Sequence, residues 1–331
     1  MACKGSGVRL PSAPLFKQLS KGVKVPRVSV LPDKWSASDI PDLTGKRYLI
    51  TGATSGIGLA AATELARRNA HVVITARSAE KAREALKKIG PGLVDYILLD
   101  LTDLESIKRA AARVDRPFEV VVLNAGVMAT PFTKTVDGFE LQMGTNHLGH
   151  FAFAGLIKNQ IKDRLVVVSS FAHKMGNFGD NTLASIKNLC LGIGKYQKWQ
   201  VYGASKLANL LFVSEVERLR IQNNWTFIPL AVHPGYSDTN LQAVASQMRG
   251  AAAEEKITMM MNKLLAQPAS QGALPTLAAC VYPDLIGASF IGPNGFLEMR
   301  GYPKLTRAKA LAYDQVLAKN LWQVSEELTK V

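Results

Sequence analysis

Four side chains in this sequence could carry proton chemistry if the fold brought them together: Tyr202, Lys206, Ser170 and Asn146. Tyr202 and Lys206 stand in Tyr202-Gly203-Ala204-Ser205-Lys206, a spacing that puts both on one face of a helix. An ammonium near a phenol favours the phenolate and draws the tyrosine pKa toward working pH, which suits a general acid or base. A serine hydroxyl beside the pair could bind a substrate oxygen and stabilise charge on it. Taken alone, a Tyr and a Lys at this spacing are common and read as ordinary helix surface. The elements that position them decide.

The stretch from Arg47 to Ala76 is the strongest of those elements. It opens with an apolar run, Tyr48-Leu49-Ile50, and breaks into Thr51-Gly52-Ala53-Thr54-Ser55-Gly56-Ile57-Gly58. Helical spacing follows, with Leu59, Ala62, Leu65 and Ala66 on one face, and His71-Val72-Val73-Ile74 closes it. Strand, glycine turn, helix and strand in that order specify a parallel βαβ unit. Gly52 permits a tight turn, Gly56 lets a pyrophosphate approach the backbone, and Gly58 allows the helix to pack closely on the sheet. The helix start offers free N–H groups and the positive end of its dipole to phosphates. Thr54, Ser55 and Ile57 complete this turn, and the context marks a dinucleotide site rather than a structural turn. Beyond the second strand come Thr75-Ala76-Arg77-Ser78, with no acid to hold a ribose 2′-hydroxyl. A guanidinium at Arg77 fits a 2′-phosphate, with Ser78 as a hydrogen-bond partner, so NADP(H) is expected over NAD(H). The alternative makes Arg77 a solvated charge at a strand end.

Further along, the pattern predicts a helix over 79–89, a strand over 95–99 and a short helix over 104–113. A strand over 119–123 follows, then a helix over 138–161 with Leu141, Leu148, Phe151 and Leu156 inward. Strands over 164–168 and 226–232 flank a strongly periodic helix over 201–220, and residues 171–198 read as irregular. The last helix spans 306–328, with Ala308, Leu311, Val316, Leu317, Leu321 and Val324 inward. Near-continuous apolar strands alternating with helices predict an α/β fold, one doubly wound parallel sheet covered on both faces. Residues 1–40 form a basic N-terminal extension; residues 41–331 form the domain.

Such sheets bind ligands outside the carboxyl ends of their strands, so the chemical residues should converge there. Taken together, the glycine turn, Asn124-Ala125-Gly126 after the fourth strand, Thr145-Asn146-His147, the serine ending the fifth strand and Tyr202…Lys206 resemble the short-chain dehydrogenase/reductase family over roughly residues 43–305. The resemblance implies a Rossmann fold in which Tyr202 donates a proton to a carbonyl or takes one from an alcohol. It implies that Lys206 binds the nicotinamide ribose and tunes Tyr202, that Ser170 orients substrate, and that Asn146 supports a proton relay. Ser169 is the neighbouring candidate, and Ser170 matches the family position better. Pro234-Gly235 with Thr239 resembles the stretch that holds the nicotinamide carboxamide, and Asp100-Leu101 the adenine-contacting stretch. Within the family, Asn146-His147-Leu148-Gly149-His150-Phe151, Ser169-Ser170-Phe171-Ala172-His173 and the segment from Tyr202 to Asn209 look like the retinol-dehydrogenase-like branch, with protochlorophyllide reductases as close relatives.

Substrate preference should lie in a lid over about residues 240–270. Met248, Met259, Met260, Met261, Leu264 and Leu265 recur there at near-helical spacing. A methionine-rich apolar surface suits an adaptable cover for a lipophilic aldehyde, ketone or alcohol; core packing is the other reading.

Composition sets bounds on the remaining classes. The net charge of +14 is spread along 331 residues without a basic run, which argues against nucleic acid. Part of it falls in the first 35 residues, where Lys4, Arg9, Lys17, Lys21, Lys24, Arg27 and Lys34 face only Asp33. That extension reads as a mitochondrial or plastid import segment, a cytoplasmic tail, or an arm docking on a membrane or large complex, and Pro11, Pro14 and Pro26 interrupt a long amphipathic helix. No apolar run reaches the length of a membrane span. Cys3, Cys190 and Cys280 form neither a disulfide framework nor a metal pattern, so a reducing, non-secretory compartment is expected. His147, His150, His173 and His233 lack metal-ligand spacing and read as packing and hydrogen bonding near the site; no metal is expected. The family resemblance suggests a homo-oligomer. A rival reading makes the chain a structural or assembly subunit retaining NADP(H), and a third makes it a protochlorophyllide reductase.

Overall fold

Short apolar runs that cannot face water on either side pair into an eight-stranded sheet in the computed structural model, which describes residues 31–237 and 266–331. In chain order the main elements are β1 (Arg47–Ile50), α1 (Gly56–Arg67), β2 (His71–Ala76), α2 (Ala79–Ile89), β3 (Val94–Leu98) and α3 (Leu104–Ala112). Then come β4 (Phe118–Leu123), α4 (Gly149–Ile157), β5 (Ile161–Val168), α5 (Leu183–Leu191), α6 (Lys198–Asn223) and β6 (Ile228–Val232). The described chain resumes with α7 (Leu274–Val281), β7 (Phe290–Pro293), β8 (Pro303–Leu305) and α8 (Gln315–Thr329). Strand order is β3-β2-β1-β4-β5-β6-β7-β8, all parallel until β8 turns back antiparallel on β7. This is the expected doubly wound Rossmann architecture in one domain.

The pleat divides the strands between two cores. Leu49, Val73, Val121, Leu165 and Val167 face α3, α4 and α6, while Ile50, Ile74, Val122, Val166 and Val168 face α1 and α7. β1 pairs with both β2 and β4, so the chain reverses its direction of travel across the sheet between them. A crevice opens at such a switch point, beyond the strand ends. Residues 31–43 pack on the second core through Leu31, Trp35, Ile40 and Leu43, and Arg68 donates to the Ala37 carbonyl at 2.8 Å.

Several elements differ from the sequence expectations. Residues 171–198 contain α5, which Thr182 caps by accepting from Ser185 N (3.2 Å) and Gly192 ends in the left-handed region. Two helical turns with Ile186 and Cys190 inward are too short to register as a period. The helix expected from 138 starts at Leu141, passes through a π-helical turn at Gly144–Leu148 and ends at Ile157, with Leu156 facing solvent. The last helix begins nine residues later than expected, because Asp314 caps it by accepting from Val316 N and Leu317 N; Val316 is therefore exposed. The expected interior positions Leu317, Leu321 and Val324 are buried. β7 and β8, too short to show an alternation, complete the sheet beyond β6. The extension up to residue 30, Thr239 and the methionine stretch 241–265 lie outside the described residues.

One backbone contact fixes where α6 crosses the chain after β5. A Cβ on Gly203 would lie 2.7 Å from the Ala172 carbonyl oxygen and 2.9 Å from Gly176 N, and a Cβ on Gly176 would strike the Gly203 carbonyl. Side chains on either residue would push Tyr202 away from the turn carrying Ser170. Gly203→Ala is expected to destabilise the protein by about 1–3 kcal/mol through overpacking and to depress any turnover far more than cofactor affinity. Urea unfolding and NADPH titration of the variant check this; an unchanged unfolding midpoint would contradict the contact.

Candidate active site

The turn after β1 depends on glycines at the points where backbones meet. Gly52 (φ +65°) and Gly56 (φ +56°) occupy the left-handed region, and a Cβ on Gly52 would lie 2.7 Å from Ala125 Cβ. Gly58 leaves room for Asn124, whose Nδ2 would stand 2.5 Å from an added Cβ. Asn124 Nδ2 donates to the Thr51 carbonyl at 2.8 Å, which joins the turn to the residues after β4. At the start of α1, Ser55 holds the N-cap position without a side-chain capping bond, and the first turn carries no acid. Thr54 and Ser55 are half-buried and Ile57 is buried beneath them. A positive helix end with uncapped N–H groups and glycine-wide access fits a dinucleotide diphosphate.

The residues expected on the adenosine side follow β2 and β3. Arg77 is exposed, and Ser78 caps α2 by accepting from Lys81 N at 3.4 Å. Asp100 Oδ1 accepts from Thr102 N (2.9 Å) and Oγ1 (2.7 Å). Leu101 is buried, its carbonyl against Gly149 of α4.

Beyond β5 the two serines separate. Ser169 is buried and donates to the Lys206 carbonyl at 2.8 Å, whereas Ser170 caps the following turn by accepting from Ala172 N (3.2 Å) and works to lower the Tyr202 pKa. Lys206 Nζ donates to the Val168 carbonyl (3.2 Å) and lies 6.0 Å from the Tyr202 ring centre. The sequence pairing predicts a tyrosine pulled down by this lysine. In the fold, burial instead pushes the Tyr202 pKa up, opposed by Ser170, and pushes Lys206 down to about 8. Both side chains sit where either charge is poorly solvated, so desolvation outweighs their mutual effect.

Asn146 lies in the π-helical turn, fully buried, with a partner for both amide atoms. Oδ1 accepts from Val127 N (2.8 Å); Nδ2 donates to the Val127 carbonyl and to Ser205 Oγ, both at 2.9 Å. Ser205 donates in turn to the Tyr202 carbonyl at 2.8 Å. Gly126 is needed beside them, since a Cβ there would lie 2.9 Å from Asn146 Oδ1 and 3.4 Å from Lys206 Nζ. The amide thus holds the loop after β4 and α6 together.

Pro234 and Gly235 follow β6, with Gly235 (φ +68°) pressed against the Met299 carbonyl. The Pro234 carbonyl accepts from Gln267 Nε2 at 2.6 Å and Ser237 Oγ at 3.0 Å. Glu298, absent from the sequence expectations, braces this turn. Its carboxylate meets Thr306 Oγ1, His233 Nε2 (3.4 Å) and Lys174 Nζ (3.7 Å), which hold its pKa at about 2. Leu297 and Glu298 both take positive φ, and no local pattern announces that geometry.

The histidines hydrogen-bond inside the protein, as expected. His147 Nε2 donates to Ser325 Oγ (2.9 Å), and His173 Nδ1 to the Ser170 carbonyl (2.7 Å). Burial pushes His147 down to about 3 and His150 and His173 to about 4. Cys190 and Cys280 are buried thiols that burial pushes up to about 12. Among the described residues no helix is long and apolar enough to cross a membrane, and no group of His, Cys, Asp and Glu could hold a metal ion.

Comparison with known proteins finds relatives along most of the chain. The short chain dehydrogenase family model matches residues 46–188. Human retinol dehydrogenase 11 is 34% identical over 298 residues, covering 86% of each chain. Mouse retinol dehydrogenase 14 is 33% identical over 87% of this chain and 86% of its own. The chloroplastic short-chain dehydrogenase TIC 32 B of Brassica napus is 32% identical over 88% and 92%. A crystal structure of a protein from Mycobacterium paratuberculosis superposes with a TM-score of 0.75 at 38% identity, covering 90% of this chain and 98% of that one.

The buried imidazoles make acid sensitivity testable. Their folded pKa values lie below the unfolded 6.5, so the unfolded chain binds more protons and stability is lost as pH falls from about 6.5 toward 4. Each of His147, His150 and His173 should cost about 2 kcal/mol by pH 5. Urea midpoints should be level near neutrality and fall below about pH 6.5; a level profile down to pH 5 would show that these rings titrate normally.

Proposed function

Because the chain belongs to the short-chain dehydrogenase/reductase family, we propose that it is an NADP-dependent oxidoreductase acting on a lipophilic aldehyde, ketone or alcohol, with Tyr202 as general acid/base. Membership makes it an oxidoreductase of the CH–OH/C=O class that binds NAD(P)(H). The observation that carries the finer reading is the fastening of the helix bearing Tyr202 and Lys206 to the end of β5, where Lys206 Nζ donates to the Val168 carbonyl and Ser169 to the Lys206 carbonyl, next to Ser170. The nicotinamide, when bound, gives or takes the hydride.

In the reductive direction Tyr202 gives its phenolic proton to the carbonyl oxygen, and Ser170 holds that oxygen through its hydroxyl. Lys206 in its charged form stabilises the resulting phenolate until a solvent proton restores it. Asn146 keeps α6 and the loop at Val127 in register while the proton moves. Pro234 and Gly235, braced by Glu298, would take the carboxamide side, and the start of α1 the diphosphate. Thr239 would complete that side, and the 241–265 stretch would supply the substrate wall.

A lipophilic substrate is supported by the retinol dehydrogenases among the relatives and by the methionine-rich stretch. NADP is supported by Arg77 at the end of β2, where an acid would favour NAD. The chloroplastic relatives and the acid-poor first 35 residues support import into an organelle, a plastid first; a full-length fluorescent fusion that stays cytosolic would refute it.

The test is NADPH oxidation by the purified protein against a panel of aldehydes and ketones that includes retinal. Wild type should turn over a lipophilic carbonyl, and Tyr202→Phe should lose about 100-fold or more while binding NADPH normally. Arg77→Glu should weaken NADPH by roughly 10- to 100-fold, the loss of a charge-assisted bond, and leave NADH little changed. Equal loss for both cofactors would refute the 2′-phosphate role. Cofactor binding without turnover on any panel member would instead favour a subunit that retains NADP(H).

A further inference from the structure

The Thr51 hydroxyl ends β1 fully buried and accepts two backbone bonds, from Asn124 N at 2.8 Å and Ala125 N at 3.0 Å. Those bonds use both oxygen lone pairs, so its one proton must point elsewhere. Two acceptors are in reach. The Val122 carbonyl stands at 3.4 Å and already takes the Thr51 N–H, while His150 Nε2 stands at 2.9 Å. The shorter contact makes Nε2 an acceptor. A neutral imidazole accepting at Nε2 carries its proton on Nδ1. Nδ1 lies 3.1 Å from the Asn146 carbonyl, which requires a donor there. Two separate contacts demand the same tautomer.

We infer that His150 is a positioning residue, locked as the Nδ1–H tautomer, that couples the dinucleotide turn to Asn146 and through Ser205 to the helix bearing Tyr202 and Lys206. The bonds run without a break from Thr51 to His150, to the Asn146 backbone, then by the Asn146 amide to Ser205 and the Tyr202 carbonyl. Cofactor seat and proton donor are thereby set by one buried chain. A second proton on the ring would turn Nε2 into a donor facing a hydroxyl whose lone pairs are filled. The charged group facing the ring is Lys206 on α6, which opposes that proton; His147, one turn earlier, is the other titratable neighbour. Burial and Lys206 together keep the ring neutral.

The kinetic part of this inference rests on the oxidoreductase reading; the spectroscopic part does not. Histidine nitrogen-15 spectra of the full-length protein with NADPH, assigned through the backbone, should show His150 protonated at Nδ1 and accepting at Nε2. The pattern should hold from about pH 7.5 to about pH 5.5, below the ordinary histidine range. A proton on Nε2, or a ring titrating normally, overturns the inference.

His150→Phe keeps the ring volume and removes both bonds. It should lower kcat roughly 10- to 100-fold, weaken NADPH several-fold and leave KM for the carbonyl substrate within about twofold. A variant that loses thermal stability with kcat and NADPH affinity intact would make His150 a packing residue and end the inference. If wild type reduces no carbonyl, the oxidoreductase reading fails, and the locked tautomer with weakened NADPH binding in His150→Phe still supports the coupling.

Discussion

The site depends first on a contact made without side chains, the backbone of α6 at Gly203 lying against the chain at Ala172 and Gly176. A helix normally stays a side chain's width from its neighbour, about 8–10 Å between axes. Two glycines and an alanine let this crossing close further. The turn that starts at Ser170 is thereby drawn under the first turns of α6, and the phenol and the serine hydroxyl share one small volume. Around that crossing, Ser169 donates to the Lys206 carbonyl, and Lys206 and Asn209 both donate to the Val168 carbonyl. These bonds fasten α6 to the end of β5.

Burial then sets the chemistry. Tyr202, Lys206 and Asn146 are all buried, and each pays for desolvation differently. Asn146 has a partner for every amide atom and is stable as a strut. Tyr202 and Lys206 keep partly unmet demands, so the phenol holds its proton and the ammonium gives one up readily. An anionic transition state or a bound cofactor changes that balance where it matters, because a buried pair responds strongly to any added charge. The same dryness keeps His147, His150 and His173 neutral and available as fixed donors and acceptors.

Around the crevice, the second half of the sheet has a different role from the first. β1 to β3 end in short, regular turns. β6 to β8 instead build a brace in which Glu298, held in a left-handed backbone conformation, gathers His233, Lys174 and Thr306 behind Pro234 and Gly235. α8 packs on α4, α5 and α6, with Trp322 against Phe151 (4.9 Å) and stacked on Phe212 (6.0 Å), and Ser325 bonded to His147.

Much of this was legible along the chain. The glycine turn between apolar strands specified the βαβ unit, and the alternation of strands and helices specified the doubly wound sheet, because both are patterns of near neighbours in sequence. Tyr202 and Lys206 could be placed on one helix face for the same reason. What the sequence left open was long-range: which serine turns toward the phenol, where the Thr51 hydroxyl proton points, and which acid stands behind Gly235. Short pieces without a full period, such as α5, β7 and β8, were also silent. The sequence by itself determined the order of the elements and the residue types at the strand ends. Only tertiary structure decided the protonation of Tyr202, Lys206 and His150, because desolvation depends on everything packed around a group and not on its neighbours in the chain.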